Sequence, residues 1–399
     1  MKLLHLISSI DPKGGGIAEG VLRLQAALTE LGHESEVLTL DSPDAPFVKN
    51  FPAKTHALGP SRGRYAYNAR LIPWLKQHAA QFDTVIVNGL WQYPGLATLR
   101  ALGPSDPPFF VFPHGMLDPW FKRHYPLKHL KKWLYWPWAE YRVLRRAASV
   151  LFTCEEERLV ARQSFWYYRC TENVVSYGTS EPPSDSIALR SLFLDLFPNL
   201  RGKRLILFLG RIQEKKGCDL LIEAFARVSL RSSDLHLVIA GPDQEGWIPT
   251  LQARADELGI GDRISWPGML SGDLKWGAFY AAEVFCLPSH QENFGIAVVE
   301  ALACGLPVLI SDKINIWREV SADAAGFVET DTADGTQQLL ERWLDASPSE
   351  MTAMGLASRQ CFLQRFRIER VAQNLIQVIQ QYVPSTAPFL PHPSSDART

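Results

Sequence analysis

The stretch that decides the fold is PSHQENFGIAVVEALACG, residues 288–305. The apolar run Val284–Leu287 precedes it and predicts a buried strand. A helix is expected from about Gly295, and Gly305 with a proline two residues later should end it. Val308–Ile310 then predicts the next strand. This is a strand-loop-helix-strand unit, and open parallel sheets bind ligands outside the carboxyl ends of such strands.

Two carboxylates stand out in this unit. The helix is apolar on every side except at Glu300, and a buried carboxylate is costly unless it meets donors. Helical side chains lean toward the N-terminus, so Glu300 is expected to point back at the loop that holds Glu292. Free backbone N–H groups at 293–295 would bind an anion. Carboxylates bind sugar hydroxyls and a helix N-terminus binds phosphate, so the pattern is typical of a nucleotide-sugar site. The alternative is a salt-bridged Glu300 and a solvated Glu292.

Two cations follow an earlier predicted strand. Arg204–Leu209 is apolar enough for a buried strand, and Arg211 and Lys216 lie in the loop after it. Arginine offers a planar fork and lysine a point charge, and both suit a diphosphate. The alternative is a pair of exposed cations in a loop.

The amino-terminal part begins with another strand-helix pair. Lys2–Ile7 predicts a strand, Ile17–Leu31 a helix and Glu36–Leu40 a second strand. The loop before the helix carries three glycines at 14–16, which let a backbone approach a ligand closely. The spacing is not G-x-G-x-x-G, which argues against a dinucleotide site. A flexible turn is the alternative.

Polar residues follow the next two predicted strands, Thr84–Asn88 and Phe109–Phe112. They would face the cleft expected at the strand ends. His114 is flanked by turn residues rather than set on an apolar face, which favours a functional role. Candidate residues on the acceptor side are Asn88, Gln92 and Asp118.

Strands and helices alternate in both halves of the chain, which predicts an α/β protein with two Rossmann-like, doubly wound domains facing across a cleft. A chain of 399 residues is long enough for two or three domains. The predicted boundaries are 1–178 for the first domain, 179–189 for a linker, 190–366 for the second domain, 367–383 for a last amphipathic helix, and 384–399 for a disordered tail.

Glu292, seven residues, Glu300 and the following ALACGLPV resemble the signature of family 4 retaining glycosyltransferases, which have the GT-B fold. The segment from Gly210 to Gly217 also resembles that family. The resemblance implies retaining transfer of a sugar from a nucleoside diphosphate, with UDP favoured and GDP and ADP open. It implies no metal ion and no cofactor, since the nucleotide-sugar is a substrate. It assigns catalysis to His114, Glu292, Arg211 and Lys216. It assigns donor binding to Gly15, Gly16, Arg211, Lys216, Met269, Glu292, Asn293, Phe294, Gly295, Ile296 and Glu300. His114 would contact the transferred sugar, Glu292 a hydroxyl of the donor sugar, Glu300 the ribose and the loop of Met269 the nucleobase. In GT-B proteins the last helix crosses back onto the first domain, which the resemblance implies for residues 367–383.

Two other readings share this architecture. A nucleotide-sugar epimerase would use the same donor, and a non-catalytic protein would bind the donor without turning it over. The acceptor implied by the resemblance is a glycan or a lipid-linked sugar in cell-surface polysaccharide or lipopolysaccharide assembly.

Residues 120–146 carry eight Lys and Arg against one acid, Glu140, with aromatic residues between them. This composition suits an anionic membrane surface. The alternative is a solvated helical hairpin whose aromatic residues pack into the core. No recognisable nucleic-acid module accompanies these residues, and the net charge of −1 gives no argument for nucleic acid.

The six cysteines are scattered without a Cys-x-x-Cys pair, which fits a reducing cytoplasm. No apolar run approaches the ~20 residues needed to span a bilayer. A cytoplasmic protein that binds peripherally at the inner face of the membrane is therefore the expectation.

Overall fold

The computed structural model describes residues 1–12, 16–120, 122 and 126–383. The predicted disordered tail, 384–399, and the predicted donor residue Gly15 lie outside the described residues.

The first domain is built on a parallel sheet of seven strands in the order β3-β2-β1-β4-β5-β6-β7. The strands are β1 Lys2–Ile7, β2 Glu34–Thr39, β3 Thr55–Ala57, β4 Thr84–Asn88, β5 Phe109–Phe112, β6 Ser149–Phe152 and β7 Glu172–Val174. The described helices that accompany them are α1 Gly16–Glu30, α2 Pro46–Lys49, α3 Leu71–His78, α4 Tyr93–Ala101, α5 Pro126–Tyr135, α6 Glu140–Arg146 and α7 Glu155–Ala161.

The second domain has a parallel sheet of six strands in the order β10-β9-β8-β11-β12-β13. The strands are β8 Arg204–Leu209, β9 Leu235–Ala240, β10 Ile264–Gly268, β11 Val284–Leu287, β12 Val308–Ser311 and β13 Gly326–Glu329. Its helices are α8 Ser186–Leu196, α9 Cys218–Val228, α10 Ile248–Glu257, α11 Gly272–Ala281, α12 Ile296–Ala303, α13 Trp317–Ala322, α14 Ala333–Asp345 and α15 Pro348–Cys361, and the chain continues into α16 Ile368–Gln380.

The central strands of both sheets are buried and read as continuous apolar runs, because helices cover both faces of a parallel sheet. Two facing, doubly wound domains confirm the predicted α/β class and GT-B architecture. Most predicted bounds agree within two residues: α1 was expected at Ile17–Leu31 and β2 at Glu36–Leu40.

The predicted linker, 179–189, is too long. Asp185 accepts a hydrogen bond from the backbone N–H of Ala188 and caps α8, which therefore begins at Ser186. Leu189 and Phe193 of this helix are buried, and Phe193 belongs to the core cluster of the second domain. The connecting segment consequently ends at Asp185.

The last described helix, α16, packs on the first domain rather than the second. Its buried residues Val371, Leu375 and Ile379 share a core cluster with Leu3 and Phe110 of the first sheet. The chain therefore crosses between domains twice. The two crossings lie side by side, because Thr179 exchanges backbone hydrogen bonds with residues on either side of Arg367.

No helix in the described part of the chain combines the length and the apolar character needed to cross a bilayer. All six cysteines are free thiols.

Candidate active site

The loops after β8 and β11 are held against each other at the carboxyl edge of the second sheet. The backbone N–H of His290 donates to the carbonyl of Lys215 at 2.9 Å. Gly217 has φ of +68°, and a Cβ there would stand 2.3 Å from the Pro288 carbonyl oxygen. Only glycine therefore permits this approach of the two loops.

This approach brings together two of the predicted catalytic residues. The ammonium of Lys216 contacts the carboxylate of Glu292, although 76 residues separate them. The side chains are 12% and 20% exposed, so the pair is largely shielded from water yet reachable from the cleft. Backbone hydrogen bonds of about 3.0 Å to Lys313 and Asn315 fix the position of Glu292.

Lys216 has two cationic neighbours. Burial, and to a smaller extent the charges of Lys215 and Arg211, lower the pKa of Lys216 to about 7. The carboxylate of Glu292 in contact with it favours the charged form. The side chain of Arg211 is exposed. An anion that enters between Arg211 and Lys216 would relieve the repulsion between these cations.

The first turn of α12 lies directly after Glu292. Gly295 takes φ of +78° at the start of this helix, and Ile296 is 42% exposed. The first N–H groups of a helix have no partner within it, so this terminus offers donors to an anion. The predicted anion site thus lies beside the Lys216–Glu292 pair.

Asn293 and Phe294 contact the other domain. The Asn293 amide donates to Thr153 Oγ1 at 3.3 Å, and the ring of Phe294 is buried, edge-on to Tyr177 at 5.6 Å between ring centroids. These two side chains therefore hold the domains together. A nucleotide-sugar would meet the backbone of Asn293 and Phe294 rather than their side chains.

Glu300 is buried, as predicted for the apolar helix, but it does not meet the loop of Glu292 through any described contact. Its carboxylate is 2.9 Å from Lys275 Nζ on α11 and 3.8 Å from Arg23 on α1. The salt-bridged alternative for Glu300 is thus what the structure contains. A ribose hydroxyl would have to share this carboxylate with Lys275. The assignment of Glu300 to ribose binding stays a prediction.

His114 lies in the loop after β5 with φ of +52°, in the left-handed region that non-glycine residues seldom adopt. Its ring lies nearly parallel to the rings of Phe112 and Tyr177, with centroids 5.4 and 5.2 Å away. Nε2 is 3.1 Å from the amide oxygen of Asn88, which can only accept, so Nε2 carries the proton. Nδ1 then accepts from the Tyr177 hydroxyl. Both ring nitrogens are engaged within the protein.

Burial lowers the pKa of His114 to about 3, and nearby His5 adds to this effect. The ring is therefore neutral at pH 7. Its predicted contact with the transferred sugar requires one of its two hydrogen bonds to be exchanged, and the role stays a prediction. Asn88, an acceptor-side candidate, is used here to orient the ring.

Asp118 and Gln92 occupy different positions in the cleft. Asp118 Oδ2 accepts a hydrogen bond from the side-chain amide of Gln291 in the second domain at 2.9 Å. Asp118 therefore contacts, across the cleft, the residue that directly precedes Glu292. Gln92 is bonded to the Arg64 carbonyl at 3.3 Å, on the first domain alone. The structure brings Asp118 to the candidate site and leaves Gln92 at its margin.

Gly16 and Met269 mark the two sides of the donor region. Gly16 begins α1, with open space where a Cβ would lie. Met269 follows β10 and is 71% exposed. An exposed residue at this strand end is compatible with the predicted contact to a nucleobase.

Sequence reasoning missed Glu157, a buried carboxylate on α7. It accepts from the backbone N–H of Gly115 at 2.5 Å and from both the N–H and hydroxyl of Thr153 at 2.7 Å. Burial raises the pKa of Glu157 above its ordinary value. It fixes the His114–Gly115 turn, but its partners lie up to 42 residues away, so no local pattern signals this role.

Among the described residues, no group of three or more His, Cys, Asp and Glu side chains is arranged to hold a metal ion. That the reaction needs no metal stays a prediction. The cations and helix terminus described above are the groups that would meet a diphosphate.

Two family models match the chain. Residues 15–171 match the glycosyl transferase 4-like domain, and residues 197–360 match glycosyl transferases group 1. The two matches cover the two domains in the order that the GT-B fold requires. The chain belongs to the group 1 glycosyltransferases of the GT-B fold. The resemblance to this family that the sequence motifs indicated is confirmed.

A curated relative of this glycosyltransferase is the D-inositol 3-phosphate glycosyltransferase of Segniliparus rotundus. The two are 32% identical over 205 residues, which is 51% of this chain and 44% of the relative. The match thus spans less than half of that relative's length.

Solved structures share the fold over nearly the whole glycosyltransferase chain. Sucrose-phosphate synthase from Thermosynechococcus elongatus superposes with a TM-score of 0.72 at 20% identity, over 95% of this chain and 98% of the other. Anabaena HepE in complex with UDP gives a TM-score of 0.74 at 17% identity, over 96% and 100%. At these identities the likeness establishes the fold.

Proposed function

We propose that this glycosyltransferase moves a hexose from UDP to a hydroxyl of a glycan or lipid-linked acceptor, retaining the anomeric configuration and using no metal ion. In this proposal Arg211, Lys216 and the N-terminus of α12 stabilise the charge that develops on the leaving diphosphate. Glu292 binds a hydroxyl of the donor sugar, and Glu300 binds the ribose. The diphosphate leaves and the acceptor attacks from the same face.

The observation that carries this proposal is the contact of Lys216 with Glu292 beside the first turn of α12. A phosphate-binding cation, a sugar-binding carboxylate and a helix N-terminus converge there from two separate loops. We propose UDP rather than GDP or ADP as the nucleotide because a solved structure with the same fold, Anabaena HepE, is in complex with UDP.

The test incubates the enzyme with UDP-, GDP- and ADP-sugars, with and without glycan acceptors, and follows the released nucleoside diphosphate and the anomer of the product. Transfer from a UDP-sugar with retention is expected. An altered sugar released from donor alone would favour the epimerase alternative. Binding without turnover of any donor would favour a non-catalytic protein.

The proposed lipid-linked acceptor is supported by the surface of α5. No side chain described in this helix is buried. Leu127, Leu130 and Leu134 follow each other at intervals of three and four residues, which puts them on one face. They are 79%, 55% and 61% exposed. An apolar helix face left open to water marks an interaction site.

The surroundings of this face fit a bilayer with anionic lipid. Trp133, Trp138, Trp166 and Tyr167 are also exposed large aromatic side chains, whose apolar body and polar tip suit a membrane interface. Lys128 and Lys131 extend from the same helix, which has no acid. Trp136 is the exception, since it is buried in the first domain as the core alternative expected. We therefore assign the α5 face to the inner surface of the cytoplasmic membrane.

Vesicle flotation tests this assignment. The protein is expected to float with vesicles containing phosphatidylglycerol and to remain below with pure phosphatidylcholine. Replacing Leu130 and Leu134 together with Gln should lower the bound fraction about tenfold or more, because each buried leucine contributes roughly 1.5–3 kcal/mol. The matched control replaces Leu230 and Leu356 with Gln. These leucines are 91% and 70% exposed but lie outside α5. Equal flotation of the two double variants would contradict the assignment.

A further inference from the structure

A cavity of about 900 Å³ opens between the two domains, next to the candidate donor residues but formed by others. Its walls come from the loop after β5 and from α7 in the first domain, and from the loops after β8, β9, β11, β12 and β13 in the second. Its volume falls in the range of small-molecule sites, roughly 300–1,000 Å³. Gln291 and Lys215 line it, and each is adjacent in sequence to a member of the Lys216–Glu292 pair.

The walls of this cavity are acidic. Six carboxylates line it against two lysines and one histidine, which are Lys215, Lys313 and His290. The carboxylates are Asp118, Glu156, Glu214, Glu245, Asp312 and Asp331. Glu156 is paired with Arg318 at 2.6 Å, and the remaining carboxylates still leave an excess of negative charge for a phosphate-bearing ligand to enter.

The few cations in the walls are already close to acids. Lys313 Nζ lies 2.8 Å from Asp312 and 3.8 Å from Asp331. His290 Nδ1 is 2.9 Å from the Asp331 carboxylate. Burial and the like charge of Arg211 lower the pKa of Lys215, and the charge of Asp118 opposes this shift only in part. These pairings leave little positive potential for a phosphate group.

The cavity also offers an unused hydrogen-bonding group and aromatic surface. Gln291 is 6% exposed; its amide N–H is bonded to Asp118, but its Oε1 has no hydrogen-bond partner among the described residues. Buried polar atoms are nearly always satisfied, and Oε1 is itself shielded from solvent, so a ligand that donates a hydrogen bond would reach it only after the Gln291 side chain turns toward the cavity. Trp120 and Trp317 are half-buried in the same walls. Aromatic side chains with a few polar groups are typical of small-molecule sites.

We infer that this cavity binds the acceptor sugar, and that it selects a sugar without phosphate: uncharged, or carrying an amine. This inference rests on the proposed transferase function and adds the chemical class of the acceptor. A lipid-linked glycan meets the requirement when its terminal sugar enters the cavity and its phosphate stays outside. A sugar that carries an amine should be bound most favourably, because its ammonium group complements the excess of carboxylates in the cavity wall.

The experiment compares acceptors that differ only in charge. Methyl hexosides, hexosamines and hexose 6-phosphates of the gluco, galacto and manno series are each offered with the UDP-sugar, and release of UDP above the hydrolysis background is measured. Within whichever series the enzyme accepts, the rate of UDP release with the hexosamine should equal or exceed the rate with the neutral methyl hexoside. The rate with the hexose 6-phosphate should be at least about tenfold lower. Preference for the phosphate, or no acceptance of any of these sugars by an enzyme that binds the donor, would overturn the inference.

Variants test whether the wall charge causes the discrimination. Glu245→Gln and Asp118→Asn each remove one negative charge from the cavity and should each raise the rate ratio of phosphate to neutral sugar severalfold. Glu283→Gln is the control, because this residue pairs with Arg204 at the opposite end of β8. An unchanged ratio in both cavity variants would refute the electrostatic explanation. Donor binding by calorimetry and turnover of the donor with any acceptor are measured separately, because the proposed function fails only when no nucleotide-sugar binds or none is turned over.

Discussion

Replacing Lys216 with Ala is expected to lower turnover by about 10²–10³-fold, the effect of removing one preorganised group from a developing anionic charge. The substitution removes the ammonium and leaves the Glu292 carboxylate without its ion-pair partner beside the leaving diphosphate. Both changes raise the energy of the transition state. Donor turnover under saturating donor is the measurement, and Lys216→Arg should retain part of the activity because it retains the charge.

Lys203→Ala is the matched control for this prediction. Lys203 is exposed and precedes the first residue of β8, so it lies at the end of the strand opposite the cleft. Its replacement should leave turnover unchanged. Melting temperatures of all variants separate lost chemistry from lost folding. Turnover of Lys216→Ala near that of the wild type would refute the role assigned to this residue.

Gly115→Ala is expected to be the most damaging single change in the first domain. Gly115 has φ of +76°, and a Cβ there would lie 2.6 Å from Cγ and Oδ1 of Asn293 in the second domain. The new methyl group must displace the Asn293 side chain, which holds a hydrogen bond to Thr153 across the domain boundary, at the point where the His114 turn faces the Glu292 loop. Misplacement by about 1 Å can cost about 10²-fold in rate, so a loss of this order in turnover is expected.

Gly202→Ala separates this clash from the cost of the backbone conformation. Gly202 has φ of +74° and open space where a Cβ would lie, so its replacement carries the left-handed penalty of about 1–2 kcal/mol alone. Both variants should lose similar stability from the backbone, and only Gly115→Ala should lose activity. Equal activities of the two variants would show that domain contact at Gly115 does not matter for transfer.

The strands of the second domain were predictable because parallel strands buried on both faces are continuous apolar runs. β8 and β11 have the predicted bounds, Arg204–Leu209 and Val284–Leu287. The positions of Lys216 and Glu292 followed from the same pattern, since loops at the carboxyl ends of neighbouring parallel strands meet. That the two side chains pair with each other was not predicted.

The contacts that the sequence did not reveal join residues that are far apart in the chain. Lys275 meets Glu300 from 25 residues away, and Tyr177 meets His114 from 63 residues away. The early start of α8 had a local signal in its cap Asp185, but the prolines before it favoured an extended linker. Local patterns determine the elements, whereas the way that two domains meet depends on shapes that only the folded chain has.

The central claim is that fixed protein cations and backbone amides meet the charge of a nucleoside diphosphate without a metal ion. Isothermal titration of the protein with UDP-, GDP- and ADP-sugars in the presence of a chelator tests it most directly. The account predicts that at least the UDP-sugar binds and that Lys216→Ala weakens this binding while Lys203→Ala does not. Failure of every nucleotide-sugar to bind in chelator, or binding that returns only when a divalent metal is added, would contradict it.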